Sequence, residues 1–283
     1  TVRSSKLYHT AYYGTKQHYM IKYPDIDPVI IKIGPLSIRW YGLMYIFGFT
    51  SSYLLTLYQL RKNRSIKMER PFIDDLYFYL ILGLIIGARL GYIIFYNLDF
   101  YISNPFEIFV VWHGGMSFHG GLAGAFIAGY LVIKKWRHDF FSVADLIIPT
   151  CPIGIGFGRI GNFINGELFG KPSDVPWAMI FPNAGNIARH PSQLYEAFLE
   201  GIVLFLVLWL YKNKKRHEGD VFSLFLMLYG IFRIFCEYFR EPDQQIGYLL
   251  GFFTMGQALS IFMILFGLFL RCYYLPRRKD LKW

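Results

Sequence analysis

Seven long apolar runs divide this chain, and they restrict its fold more than any other feature. They lie at about 36–60, 71–96, 114–133, 143–164, 193–211, 221–239 and 254–274. Each is near the ~20 residues an α-helix needs to cross ~30 Å of hydrocarbon. A backbone in hydrocarbon must satisfy its own N–H and C=O groups, so runs of this length predict helices. The expected fold is an all-α integral membrane protein with seven transmembrane helices. Composition agrees, because 54% of the 283 residues are apolar, whereas a soluble domain has roughly 45–50%.

Basic residues mark the ends of alternate runs. Arg61, Lys62, Arg64, Lys67 and Arg70 follow the first, and Lys134, Lys135 and Arg137 the third. Lys212, Lys214, Lys215 and Arg216 follow the fifth, and Arg277, Arg278, Lys279 and Lys282 the seventh. The connection at 97–112 has no lysine or arginine. The positive-inside bias then predicts an outside N-terminus and a cytoplasmic C-terminus, which requires an odd number of spans. Lys22 and Lys32, ahead of the first run, count against this orientation but do not outweigh the repeated alternation. The net charge of +10 would suit nucleic acid. Its placement at the ends of apolar runs instead suits membrane topology and anionic headgroups, so no nucleic-acid partner is expected.

Residues 1–19 are polar, lack an apolar run and do not read as a secretory signal. They are expected to be a non-native or atypical N-terminal extension, with Met20 as the candidate start. Residues 20–283 then form a single membrane domain. Cys151, Cys236 and Cys272 are far apart and lack CxxC or His-rich surroundings, which supports neither a disulfide framework nor a zinc site. The 165–192 segment contains Pro172, Pro176, Pro182, Pro191 and Trp177. It predicts an ordered interfacial loop with little helix, building a small periplasmic head.

Charge inside hydrocarbon is costly, so an ionisable residue there is a candidate for function. Four places qualify. Arg39, Trp40, Tyr41 and Gly42 lie at the outer end of the first run. They fit an aromatic belt, or a Tyr41 hydroxyl bonding a lipid headgroup. The 114–125 stretch, GGMSFHGGLAGA, holds His119 beside a Gly120/Gly124 pair. Small residues at that spacing let helices approach closely, and His119 is either a structural hydrogen-bonder or a base. The third place is the 154–170 stretch, GIGFGRIGNFINGELFG. Arg159 and Asn162 share a helical face, Asn165 and Glu167 follow, and the glycines bare the backbone. The set suits a phosphate, which arginine grips bidentately; a helix kink with an Arg159–Glu167 ion pair is the alternative. Fourth, Arg233, Glu237 and Arg240 share a face of the sixth run, ahead of Glu241, Pro242 and Asp243. Arg233 and Glu237 can pair structurally, and Arg240 can reach water at the helix end. The topology puts His119, Arg159 and the Arg233–Arg240 face at one level, in the outer half of the membrane.

These residues carry a family resemblance. GRIGNFINGELFG closely resembles the signature of the bacterial prolipoprotein diacylglyceryl transferases. DPVIIKIGPLSIRWYGLMY, FHGGLAGA, RHPSQLYEA and RIFCEYFREPD resemble further segments of that family, in the same order, and the likeness runs from about Tyr23 to the end. The resemblance implies transfer of a diacylglyceryl group from phosphatidylglycerol to the lipobox cysteine of a preprolipoprotein. The products would be a thioether and glycerol phosphate, with no metal or cofactor. It implies a multi-pass enzyme of the bacterial inner membrane whose partners are phosphatidylglycerol, the preprolipoprotein and membrane lipids. The active site would face the outer leaflet. Position by position, Tyr41, His119, Arg159, Asn162, Glu167, Gly170, Arg233 and Glu237 match residues the family relies on, and Arg159 matches its phosphatidylglycerol-binding arginine.

On this basis His119, Arg233, Glu237 and Tyr41 are the expected catalytic residues. Arg159, Asn162, Glu167, Gly170 and Arg240 are expected to bind phosphatidylglycerol. The nucleophile comes from the substrate, because no cysteine of this chain lies in a motif. His119 takes the thiol proton, Arg159 holds the lipid phosphate, and Arg233, oriented by Glu237, stabilises the leaving phosphate; the two arginine roles are interchangeable at this level. A transporter, whose ion pathway would also bury charge, and a non-catalytic lipid-binding protein are the rival readings.

Overall fold

The computed structural model describes residues 21–278 apart from 25, 35, 64–65, 111–113, 242–247 and 250–252. The expectations for residues 1–19, Met20, Arg64, Pro242, Asp243, Lys279 and Lys282 fall outside the described residues. A helix occupies each of the seven apolar runs. These are α1 (Trp40–Lys62), α2 (Arg70–Tyr96), α4 (Phe118–Lys135), α5 (Phe140–Ile164), α6 (Ser192–Lys214), α7 (Asp220–Glu237) and α8 (Met255–Arg277). A short helix, α3 (Leu98–Ser103), precedes a 3-10 turn at Pro105–Phe109.

Four of these helices, α2, α5, α6 and α8, are long and apolar enough to cross a membrane. The other three carry more polar residues. Thr50, Ser51, Ser52, Thr56 and Gln59 lie in α1, His119 and two lysines in α4, and Asp220, Arg233 and Glu237 in α7. Large apolar side chains face outward, among them Ile46, Phe78, Phe95, Phe126, Leu210 and Phe262. Polar ones are buried inside. Ser52 hydrogen-bonds Tyr77 at 2.7 Å and Thr150 at 2.6 Å, and Thr56 meets Tyr77 at 2.9 Å. This distribution suits a lipid solvent, in which an interior polar group must find a protein partner.

Glycines set the helix crossings. Gly83, Gly87 and Gly91 of α2 face Gly120, Gly124 and Ala128 of α4; a Cβ added to Gly91 would stand 2.7 Å from Gly120 Cα. Gly48 of α1 meets Gly154 of α5, and Gly156 meets Gly201 of α6, where a Cβ would stand 2.8 Å from the opposing Cα. Backbone-to-backbone packing of this kind replaces the hydrophobic drive that lipid does not supply. At the basic ends, buried Asp145 of α5 accepts from the N–H groups of Gly219, Val221 and Phe222 at 2.8, 3.1 and 3.0 Å and so caps α7.

Two boundaries differ from expectation. The first run begins as a strand: β3 (Leu36–Arg39) pairs with β2 (Val29–Ile33) in an antiparallel hairpin, so the helix starts only at Trp40. Alternating apolar residues there follow a strand's period, not a helix's. Residues 114–117 are not helical, because Gly114 and Gly115 adopt φ of +86° and +79° and Ser117 caps α4. The 97–112 connection contains helix. The 165–191 segment has no helix among the described residues. It holds β4 (Met179–Ile180) and β5 (Ala188–Arg189), and β1 (Ile21–Lys22) joins β4 in parallel. Tyr23 pins this small head to the end of α5, donating to the carbonyls of Phe163 and Ile164 at 2.6 and 2.9 Å.

Candidate active site

The site forms where α5, α6 and α7 meet below the small head. Glu196 and Glu200 lie four residues apart and share one face of α6. The helix widens to a π-turn over Ala197–Val203, a distortion often found at functional positions. Both side chains are fully buried.

Three arginines converge on one oxygen of Glu196. Its Oε2 lies 2.9 Å from Arg159 Nε, 2.6 Å from Arg233 Nη1 and 3.8 Å from Arg240 Nη1. Glu200 sits behind, 3.5 Å from Arg159 Nη2 and 3.6 Å from Arg233 Nη1. Glu237 meets Arg233 Nη2 at 3.0 Å, a contact close enough for an ion pair but not aligned as a hydrogen bond. The expected Arg233–Glu237 pair is therefore present. Arg159 does not pair with Glu167. Its counter-charges come from α6, because Arg159 points across to the Glu196–Glu200 face while Glu167 lies beyond the end of α5.

The acids of this cluster are not saturated. Glu196 Oε1, Glu200 Oε1 and Glu237 Oε2 are buried without a hydrogen-bond donor. Unmet acceptors in a buried polar network mark a place where an added proton, water or ligand is stabilised. Arg159 and Arg233 keep 17% and 12% of their side chains exposed, whereas Glu196 and Glu200 are sealed.

A second group lies one turn along α5. Asn162 and Asn165 both donate to Glu167 Oε1, at 2.9 and 3.0 Å, and Gln193 donates to the Glu167 carbonyl at 2.7 Å. Tyr41 of α1 packs its ring on Gly161, next to Asn162 and Glu167, and shares a 3.2 Å hydroxyl contact with Tyr45. Leu168, with φ of +58°, turns the chain sharply into the head. A cavity of about 490 Å³ opens beside Asn165, lined also by Tyr23, Asp27 and Pro182.

Gly170 and Arg240 join the head to α7. They form an antiparallel bridge, the Gly170 N–H donates to the His190 carbonyl at 2.8 Å, and the Lys171 N–H donates to the Phe239 carbonyl at 2.8 Å. A Cβ on Gly170 would stand 2.7 Å from the His190 carbonyl oxygen, so this glycine is required for packing. Arg240 is only 8% exposed. The expectation that it reaches water is corrected, because the bridge to Gly170 turns its side chain in toward Glu196.

His119 stands apart. It is exposed in the first turn of α4, its ring edge-on to Phe118 at 5.6 Å. No hydrogen bond or ion pair joins it to the arginines among the described residues. Its surroundings depend on an arginine the sequence reading overlooked. Arg89 of α2, 5% exposed, donates to five backbone carbonyls, those of Glu107, Ile108, Val110, Gly114 and Gly115, at 2.5 to 3.1 Å. Five is the full donor capacity of a guanidinium. Arg89 thereby ties down the loop that precedes His119. Glu196 and Glu200 were also overlooked as site residues. All three are ionisable residues within apolar runs, the signal that singled out Arg159.

The sequence was also compared with those of known proteins. A sequence model of the prolipoprotein diacylglyceryl transferase family matches residues 28–273. The phosphatidylglycerol–prolipoprotein diacylglyceryl transferase of Bordetella parapertussis is 52% identical over 249 residues, 88% of this chain and 95% of the relative. The protein of that name from Pseudomonas paraeruginosa is 53% identical over 251 residues, covering 88% and 94%. That from Desulfotalea psychrophila is 49% identical over 262 residues, covering 90% and 96%. The matched residues include every helix that builds the arginine cluster, and on that extent of likeness the chain belongs to the prolipoprotein diacylglyceryl transferase family.

Proposed function

We infer that this chain transfers the diacylglyceryl group of phosphatidylglycerol to the lipobox cysteine of preprolipoproteins, the first step of lipoprotein maturation. The observation that carries this reading is the arginine array of Arg159, Arg233 and Arg240 around Glu196 in a chain of this family. Clustered guanidinium groups suit a lipid phosphodiester that becomes a more highly charged monoester as it leaves.

The reaction is a displacement at carbon. The peptide thiol gives its proton to a base, and its sulfur attacks the glyceryl carbon that carries the phosphate ester. A C–S bond forms, the C–O bond breaks, and its electron pair leaves with glycerol phosphate. Arg159 holds the lipid phosphate, and Arg233, fixed by Glu196 and Glu237, neutralises charge on the departing oxygen. Asn162, Glu167 and Tyr41 flank the headgroup, while Gly170 and Arg240 hold the head against α7. His119 is the base. Because it stands outside the cluster, the peptide cysteine would have to lie between it and the arginines.

All seven long helices cross the bilayer in this reading, with residues 20–283 acting as one domain of the bacterial inner membrane. Basic residues at the ends of α1, α4, α6 and α8 support an outside N-terminus and a cytoplasmic C-terminus. The arginine cluster then lies toward the outer leaflet, where an exported substrate arrives.

Purified protein given phosphatidylglycerol and a lipobox peptide should release glycerol phosphate. Lipid binding with no release would leave a non-catalytic lipid-binding protein, and ion flux in liposomes without lipid turnover would leave a transporter. His119→Gln should lower the rate of glycerol phosphate release. An unchanged rate would exclude His119 as the base.

A further inference from the structure

The opposite end of the helices carries a second group of cations, away from the arginine cluster. On α6, Lys212 is sixteen residues beyond Glu196. That is about 24 Å along the axis, most of the ~30 Å thickness of the hydrocarbon. There the rings of Tyr58 on α1 and Trp209 on α6 stack at 6.3 Å with an interplanar angle of 22°. Lys212 Nζ sits 3.9 Å from the centroid of the Trp209 ring, and Lys62 Nζ lies at the hydroxyl edge of Tyr58, 5.6 Å from its centroid, and donates to that hydroxyl at 3.3 Å. The ring contact thus brings the two lysines to one place where α1 and α6 end. Neither has an acidic partner among the described residues. Two like charges beside one aromatic pair are stabilised by an anion between them.

The nearby acids are already engaged. A cavity of about 330 Å³ beside this pair is lined by Lys67, Lys212, Lys215, Asp139, Asp145 and Glu218, among others. Asp139 is paired with Arg278. Asp145 accepts from Lys215 at 3.2 Å as well as from the start of α7, and Glu218 meets Lys215 at 2.6 Å. Lys67 and Lys212 line the cavity without an acidic partner among the described residues. The local balance therefore favours a negative ligand. Exposed Tyr58 beside Trp209 gives that ligand an interfacial setting in which an apolar chain can follow the headgroup.

We propose that Lys62 and Lys212, beside the Tyr58–Trp209 pair, bind the phosphodiester headgroup of an anionic phospholipid in the leaflet opposite the arginine cluster. The bound lipid bridges α1 and α6, which also carry Tyr41 and Glu196 of the active site. The proposal does not depend on the transferase reading.

The test is native mass spectrometry of the full chain, delipidated and titrated with phosphatidylserine, which lacks the headgroup glycerol. The wild type should bind one phosphatidylserine more tightly than the Lys62→Gln/Lys212→Gln double variant, by roughly thirtyfold for two interfacial lysines. Phosphatidylcholine should show no such difference. The Lys62→Arg/Lys212→Arg variant should keep the lipid, and the glutamine variant should still release glycerol phosphate, which confirms that it is folded. Equal retention of phosphatidylserine by the wild type and the glutamine variant would overturn the proposal. Displacement of the lipid by millimolar inorganic phosphate would reassign the site to a soluble anion.

Discussion

Arg89 and the Arg159–Arg233–Arg240 cluster are both buried guanidinium sites, but they are satisfied in different ways. Arg89 spends its five donors on five backbone carbonyls of one loop. Nothing in that arrangement is left to bind a ligand, so it is structural. The cluster arginines are held by carboxylates, three of them crowd one Glu196 oxygen, and three carboxylate oxygens lack donors. Their edges also remain partly exposed. The cluster arginines face carboxylates that also have oxygens to spare, whereas Arg89 would lose five hydrogen bonds on moving. Burial of an arginine therefore does not by itself mark a candidate binding site; its partners must be weighed as well.

This contrast can be broken or sharpened by substitution. The largest effect is expected for Arg159→Ala and Arg233→Ala, each of which should slow glycerol phosphate release by about 10²–10³-fold, as for loss of a donor aimed at developing charge. Retention of wild-type turnover by both variants would remove the cluster from the chemistry. Glu196→Gln should cost about 3 kcal/mol of stability, because it leaves the three arginines without their common counter-charge, and turnover should fall with it. If its melting temperature equals that of the wild type, Glu196 is not the hub of the cluster. Arg89→Ala should destabilise by about 2–3 kcal/mol by stripping buried carbonyls of their donor. Turnover per folded molecule should change much less than in the cluster variants.

The smallest effect concerns the head. Burial holds the pKa of His190, which contacts the Tyr195 hydroxyl at 3.1 Å, below its ordinary value of 6.5. The folded state therefore binds a proton less readily than the unfolded state. Stability from this group is fully present above about pH 6.5 and is lost as pH falls through the lower folded value. Melting curves should show a small drop between pH 7 and 5 that His190→Asn removes. A drop of the same size in the variant would assign it elsewhere.

Much of this was legible in the sequence because lipid enforces simple rules. Apolar runs located all seven long helices, and the glycine-flanked Arg159 segment pointed to one arm of the arginine cluster. The counter-charges were not recognised. Glu196 sat inside a quoted motif and Glu200 four residues on, yet both read as part of an apolar run, and only the packing of α6 against α5 and α7 reveals what they face. Arg89 escaped for the same reason, since its partners are backbone carbonyls that no sequence pattern marks. Leu36–Arg39 alternates as a strand does, but four residues running straight into a long apolar helix do not separate from it by pattern alone. The strands of the head are shorter still, two residues each, and are fixed by tertiary contacts such as those of Tyr23.

The most direct test of the central claim is glycerol phosphate release per folded molecule, compared between Arg233→Ala and Arg89→Ala. The account predicts that Arg233→Ala loses about 10²-fold or more in rate per folded molecule, while Arg89→Ala loses much less in its folded fraction. Equal loss of turnover per folded molecule in both variants, or loss in Arg89→Ala alone, would contradict it.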